Sequence, residues 1–224
     1  MDPDGPRALI LDFGGVISRT LFETHDDTEA ALGLQPGRLT WRGPFDPNSD
    51  GLWRSMQAGA ITERDYWRTR AREVGRLLGE DWHDMQTLVQ RARGADPDRI
   101  VRPQTLALIA SAHAAGVRLA ILSNELDLFY GAALRQRLQC LRHFSVIVDA
   151  TYTGCLKPDA RAYALCLQQL RLPAQQCVFV DDQQRNIDGA RAVGLHTVWF
   201  DVQDPQAACD AAARALALPG WCQR

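Results

Sequence analysis

Residues 8–16 read Ala-Leu-Ile-Leu-Asp-Phe-Gly-Gly-Val. Four consecutive apolar residues are too few for a helix and end in a carboxylate and a glycine pair. A short unbroken apolar run of this kind reads as a strand buried on both faces, the pattern of a parallel sheet. Asp12 then stands at the strand tip, where it can be a nucleophile, a metal ligand or an ordinary turn residue. Gly14 and Gly15 let the backbone turn sharply and approach a ligand closely.

Four more apolar runs follow, Val117–Leu122, Ser145–Val148, Cys177–Val180 and Thr197–Phe200. Segments of helical period separate them. Pro103–Ala115 stops at Gly116, Asp159–Leu170 stops near Pro173, Gln184–Val193 stops at Gly194, and Pro205–Leu218 follows Asp204 as N-cap. A helix is also expected over Glu125–Leu138. Strand–helix alternation predicts an α/β chain with an open, Rossmann-like parallel sheet flanked by helices, its ligand site at the carboxyl ends of the strands.

The stretch 18–98 breaks the alternation. It has no strong strand signal, carries helical periods near Thr62–Leu78 and Trp82–Arg93, and holds Trp41, Trp53, Trp67 and Trp82. It is too long for a loop, so it reads as an inserted helical cap domain, with residues 1–17 and 99–224 forming the core. Positions 38–102 contain 12 arginines. They read as a solvated face, with Glu63, Asp65 and Glu73 beside Arg64, Arg68 and Arg72, or as cleft groups for a second anionic part of a substrate. The tryptophans read as small-domain core or as a sugar platform.

Composition narrows the classes. A formal charge of −2 over 224 residues argues against a nucleic-acid partner. No apolar run reaches the roughly 20 residues needed to span a bilayer, and the acidic start Met1-Asp2-Pro3-Asp4-Gly5 lacks a signal-peptide pattern. Cys140, Cys155, Cys166, Cys177, Cys209 and Cys222 show no C-x-x-C spacing. Reduced thiols in a cytoplasmic protein are expected, as monomer or homodimer.

Three further points carry chemistry. The second strand ends in Ser123-Asn124, a holder of phosphate or carboxylate oxygens or a plain helix cap. Lys157 precedes Pro158 and is the single lysine among 24 arginines; a compact ammonium does what a guanidinium fork does not, although a solvated surface lysine is the plain alternative. The fourth strand ends in Asp181-Asp182, adjacent carboxylates whose repulsion a hard cation would relieve, or an acidic turn with an N-cap.

Taken in order, Leu-Asp12-Phe-Gly-Gly-Val, Leu-Ser123-Asn, Lys157-Pro and Val-Asp181-Asp182-(x)3-Asn186-Ile resemble the four motifs of the haloacid dehalogenase-like hydrolases over nearly the whole chain. The insert resembles that family's small helical cap. The resemblance implies a Mg²⁺-dependent phosphatase acting on a small phosphorylated metabolite, possible sugar phosphates included, with Asp12 as the nucleophile that forms an aspartyl-phosphate. It implies Mg²⁺ held by Asp12, the Gly14 carbonyl, Asp182 and Asp181. It also implies Ser123, Asn124, Lys157 and Gly15 on the phosphoryl group, with Lys157 keeping Asp12 ionised and Asn186 placing a metal-bound water.

One position departs from the family. Its phosphatases commonly carry a second Asp two residues after the nucleophile, as general acid and base; here that position is Gly14. The substrate then has a good leaving group, or Glu23, His25 or Asp127 substitutes, or the chain is a weakly catalytic binder of phosphorylated ligands. A metal-independent 2-haloacid dehalogenase is the rival enzyme; it also lacks the second Asp but gives the Asp181-Asp182 pair less purpose.

Overall fold

The chain, described by a computed structural model, is covered from residue 6 to 221; the acidic stretch 1–5 and residues 222–224, Cys222 among them, lie outside the described residues. It divides into two compact units. One comprises Met1–Arg19, Ile100–Asp127 and Leu138–Arg224, the other Thr20–Arg99 and Leu128–Arg137.

The first unit holds five parallel strands, β1 (Ala8–Leu11), β2 (Arg118–Ser123), β3 (Val146–Asp149), β4 (Cys177–Asp181) and β5 (His196–Trp199), in the order β3-β2-β1-β4-β5. Helices Ala160–Leu170 and Gln184–Ala192 pack together on one face, and helices Pro103–Ala114 and Pro205–Ala215 on another part of the sheet. Side chains alternate along each strand. Ile10, Ala120, Leu122 and Phe179 therefore share one core cluster with Ala162, Tyr163, Cys166 and Ile187. Their neighbours Leu9, Leu11, Leu119, Ile121, Val178 and Val180 are equally buried, which explains the unbroken apolar runs. Of the run at 197–200, expected to be buried, only Phe200 is; Thr197 and Val198 on the edge strand β5 are half-exposed and Trp199 is exposed. Cys140, Cys155, Cys166, Cys177 and Cys209 are free thiols. Among the described residues no helix is long and apolar enough to cross a membrane.

The helix expected over Glu125–Leu138 forms as two short pieces, Leu126–Tyr130 and Ala132–Arg135. Gly131, at φ +74, ends the first piece, because a left-handed backbone cannot continue a right-handed helix. Expected with the core, residues 128–137 group instead with the second unit. There Arg93 donates to the Tyr130 hydroxyl at 2.8 Å, and Arg137 donates to the carbonyls of Gly94 and Ala95.

The second unit is helical, with helices His25–Leu32, Gly51–Gln57, Glu63–Leu77 and Met85–Arg93. Thr62 and Asp65 form a capping box at the start of the third. Its four tryptophans are buried, and Phe22 packs edge-on to Trp41 and Trp53, with ring centroids 5.4 and 5.3 Å away. They are core of this unit. Buried Asp50 accepts from Tyr66, Arg70 and the Trp53 amide. Glu73 pairs with Arg70 at 2.6 Å rather than with the expected Arg72. Arg70, two residues earlier, is the arginine whose guanidinium turns inward to Asp50.

His25 is enclosed in this core, its ring 4.3 Å from that of Trp41. Burial, then the nearby Arg42 charge, against Glu29 and Asp26, pushes its pKa down to about 4. A depressed histidine pKa contributes stability that is complete above the unfolded value near 6.5 and lost as pH falls through the folded value. Between pH 7.5 and pH 4.5 the wild type should therefore lose about 2 kcal/mol more stability than His25→Gln. Urea unfolding of both proteins at the two pH values tests this; parallel losses would refute it.

Candidate active site

Strand register assembles the site. Leu11 lies abreast of Val180 in β4 and of Ile121 in β2, so the next residues, Asp12 and Asp181, emerge side by side at the carboxyl edge. Ser123, the last residue of β2, lies abreast of Asp149.

The Lys157 ammonium bridges the first two carboxylates, 2.7 Å from Asp12 Oδ1 and 2.6 Å from Asp181 Oδ2. It is wholly buried, so the surface-lysine reading fails. Its loop is held from two sides. The Asn124 side-chain amide donates to the Lys157 carbonyl at 3.1 Å and accepts from its N–H at 2.7 Å. Pro158 lies against Gly189, where an added Cβ would stand 2.8 Å from the proline ring. The Asn124 side chain thus holds the backbone from which Lys157 extends. The helix that follows begins at Ala160 with Asp159 as N-cap, accepting from the Arg161 N–H at 2.9 Å.

Electrostatics follow from burial. Desolvation raises the Asp12 carboxyl most, Lys157 opposes it, the like charge of Asp181 adds to the rise, and the group comes out at about 7. Lys157 is pushed above the usual ammonium range because its two carboxylates outweigh the cost of burial.

Asp181, fully buried, also accepts from the Asn186 amide at 3.0 and 3.2 Å and from the Gln183 N–H at 2.8 Å. Asp182 rests on Gly15: a Cβ there would lie 2.8 Å from Asp182 Oδ2, and Gly15 has φ +82. Both facts require glycine. Trp199, at the end of β5, donates its indole N–H to the Asp182 carbonyl at 3.0 Å; a strand-end residue of that kind could have been singled out from the sequence by the rule that found the others.

Asp12, Asp181 and Asp182 offer oxygens within 4.8 Å of one another. Three carboxylates against one ammonium leave excess negative charge, and an all-oxygen set suits a hard divalent cation. Asn186 supplies a second sign of fit. With its amide nitrogen committed to Asp181, its buried Oδ1 has no protein partner, which leaves an acceptor for water on such a cation. Ser123 accepts from the Glu125 N–H at 3.3 Å and keeps its own proton to donate.

Of the three groups that could replace the missing acid, Glu23 accepts from the Thr20 N–H and hydroxyl at 2.8 Å and Asp127 accepts from the Tyr152 hydroxyl at 2.6 Å, while His25 packs its ring on Trp41 with neither ring nitrogen hydrogen-bonded to protein.

The chain is similar to known proteins over most of its length. The family model described as haloacid dehalogenase-like hydrolase matches residues 6–194. Phosphoserine phosphatase of Thermus thermophilus is 30% identical over 190 residues, covering 80% of this chain and 71% of its own length. Mouse acyl-CoA dehydrogenase family member 10 is 26% identical over 87% of this chain, which spans 18% of that longer protein. Among solved structures, the putative HAD-hydrolase YfnB of Bacillus subtilis, bound to magnesium, has a TM-score of 0.61 at 21% identity, covering 88% of this chain and 87% of its own. The L-2-haloacid dehalogenase RSc1362 has a TM-score of 0.58 at 18% identity with the same coverage. With the four motifs converging on one buried cluster and a family match over most of its length, the chain belongs to the haloacid dehalogenase-like hydrolases and is a hydrolase.

Proposed function

We propose that this hydrolase is a Mg²⁺-dependent phosphatase that cleaves a small phosphate monoester through an aspartyl-phosphate on Asp12. The observation that carries the reading is the third carboxylate. A dehalogenase needs the nucleophile and a cation beside it, which Lys157 supplies; Asp182 beside Asp12 and Asp181 has a purpose when a cation is held. Relatives named as phosphatases support the same choice.

Asp12 attacks phosphorus in line; the carboxylate oxygen–phosphorus bond forms as the ester oxygen–phosphorus bond breaks, and water then hydrolyses the acyl-phosphate. Lys157 holds Asp12 in place and offsets charge on the phosphoryl oxygens. Ser123 and the Gly15 backbone bind those oxygens, and Asn124 aims Lys157. Asp12, Asp182, Asp181 and the Gly14 carbonyl would hold Mg²⁺, which supplies positive charge against the transferring group.

Phosphate release from a panel of monoesters, sugar 1-phosphates included, with Mg²⁺ or with excess EDTA, tests the reading. Turnover that requires the metal supports it. Chloride release from 2-haloacids in EDTA, with no phosphate release, would overturn it in favour of the dehalogenase.

Gly14 predicts the leaving-group preference. Without a side chain there, no acid at that position protonates the departing oxygen, so esters with good leaving groups should be favoured. A Cβ on Gly14 would meet Asp12 Oδ2 at 4.0 Å and nothing nearer, so the position accepts a side chain. Gly14→Asp should raise kcat/KM about 10²-fold for an alkyl ester such as glycerol phosphate, and much less for p-nitrophenyl phosphate. Equal effects on both esters would exclude this account of Gly14.

A further inference from the structure

Arg102 was expected on a solvated face or against substrate. It is instead 2% exposed, and the chemistry above does not use it. Its Nε donates to the Gly15 carbonyl at 2.7 Å, and its own N–H donates to the Ile17 carbonyl at 2.9 Å. Beside it the Arg19 N–H donates to the Ile100 carbonyl at 2.7 Å, and the Thr105 hydroxyl to the Val16 carbonyl at 2.8 Å. Residues 100–105 thus lie as a strap along the loop that follows the nucleophile. On its other side the guanidinium stands 5.5 Å from the centroid of the Phe200 ring. The Phe200 N–H donates to the Asp181 carbonyl at 2.9 Å. Arg102 therefore connects the loop after Asp12 with the strand end that carries Asp181 and Asp182.

A guanidinium stays charged at every accessible pH, and removing it from water costs several kcal/mol. An apolar side chain of similar volume would fill the space at lower cost. What the guanidinium adds is direction. Its Nε fixes the Gly15 peptide, and Gly15 is the residue against which the Asp182 carboxylate packs.

We propose that Arg102 is a positioning residue for the carboxylate cluster: holding the Gly15 carbonyl and stacking on Phe200, it sets the separation of Asp12 from Asp181 and Asp182 and so the affinity for a divalent cation. The inference rests on the metal-dependent reading above. Outer contacts of this kind are typically worth 10- to 100-fold in metal affinity.

The test is Mn²⁺ binding to the full chain without substrate, followed by the electron paramagnetic resonance of free Mn²⁺. Arg102→Met should weaken binding about tenfold or more, with an unchanged far-ultraviolet circular dichroism spectrum. Arg102→Lys, which keeps charge and a donor, should recover part of the loss. Thr105→Val removes a neighbouring hydrogen bond of the same strap and should bind as wild type. Wild-type binding by folded Arg102→Met would overturn the inference, as would equal losses in Arg102→Met and Thr105→Val, since those would mark general loosening. Should Arg102→Met fail to fold, Arg102→Gln, too short to keep both contacts, is judged by the same criteria. A wild-type chain that binds no Mn²⁺ would remove the metal-dependent reading and this inference together, whereas normal binding by the variant removes this inference alone.

Discussion

Asp12→Asn is expected to lower phosphate release by about 10⁴-fold or more, because an amide cannot form the covalent intermediate on which both half-reactions depend. The change is nearly isosteric, and Asn presents one oxygen to Lys157 where Asp12 Oδ1 now accepts at 2.7 Å. It also removes a charge that burial disfavours. Stability should be retained or raised, so the loss of turnover cannot be assigned to unfolding. The measurement is steady-state release from the best ester of the panel, with urea unfolding in parallel and acid-quenched protein assayed for bound phosphate. Retention of more than a tenth of wild-type turnover would rule out Asp12 as the nucleophile.

Lys157→Met is expected to cost about 3–5 kcal/mol of stability and to lower turnover about 10²- to 10³-fold. The ammonium is wholly buried between Asp12 and Asp181. Removing it leaves two like charges side by side, each without its closest counter-ion. Methionine fills most of the stem's volume, so the loss reports charge rather than a cavity. Lys157→Arg should not restore activity, because a planar fork cannot take the place of a point donor enclosed between two carboxylates. Mg²⁺ should recover part of the lost stability, since an ion that binds only the folded chain stabilises it by mass action. Urea unfolding with and without Mg²⁺ measures both effects. A variant as stable as wild type in EDTA would show that the carboxylates do not need the ammonium.

Several features were legible because they are local. The apolar runs located the five strands to within a residue, and Gly116, Gly194 and Asp204 marked helix ends, whereas the helix expected to reach Leu218 stops at Ala215; burial on both sheet faces and backbone conformation act over neighbouring residues. The order Asp12, Ser123, Lys157, Asp181 was legible because parallel strands place their carboxyl ends on one edge. The break at Gly131 was missed, since the period of Glu125–Leu138 satisfied a helix on both sides of it. Arg70 was passed over in favour of Arg72 because helical spacing finds neighbours along one face, not a partner 20 residues away such as Asp50.

By itself the sequence determined the strand–helix alternation, the chemical groups at each strand end and the absence of a side chain beside the nucleophile at Gly14. Tertiary structure alone decided which groups meet. Lys157 finds Asp12 across 145 residues and Asp181 across 24, Asn124 holds the Lys157 backbone across 33, and Arg102 reaches Gly15 across 87 residues. The physical reason is that residue type and spacing govern torsion angles and local burial, whereas the partner of a buried charge is selected by strand register and by competition among all groups that lack water.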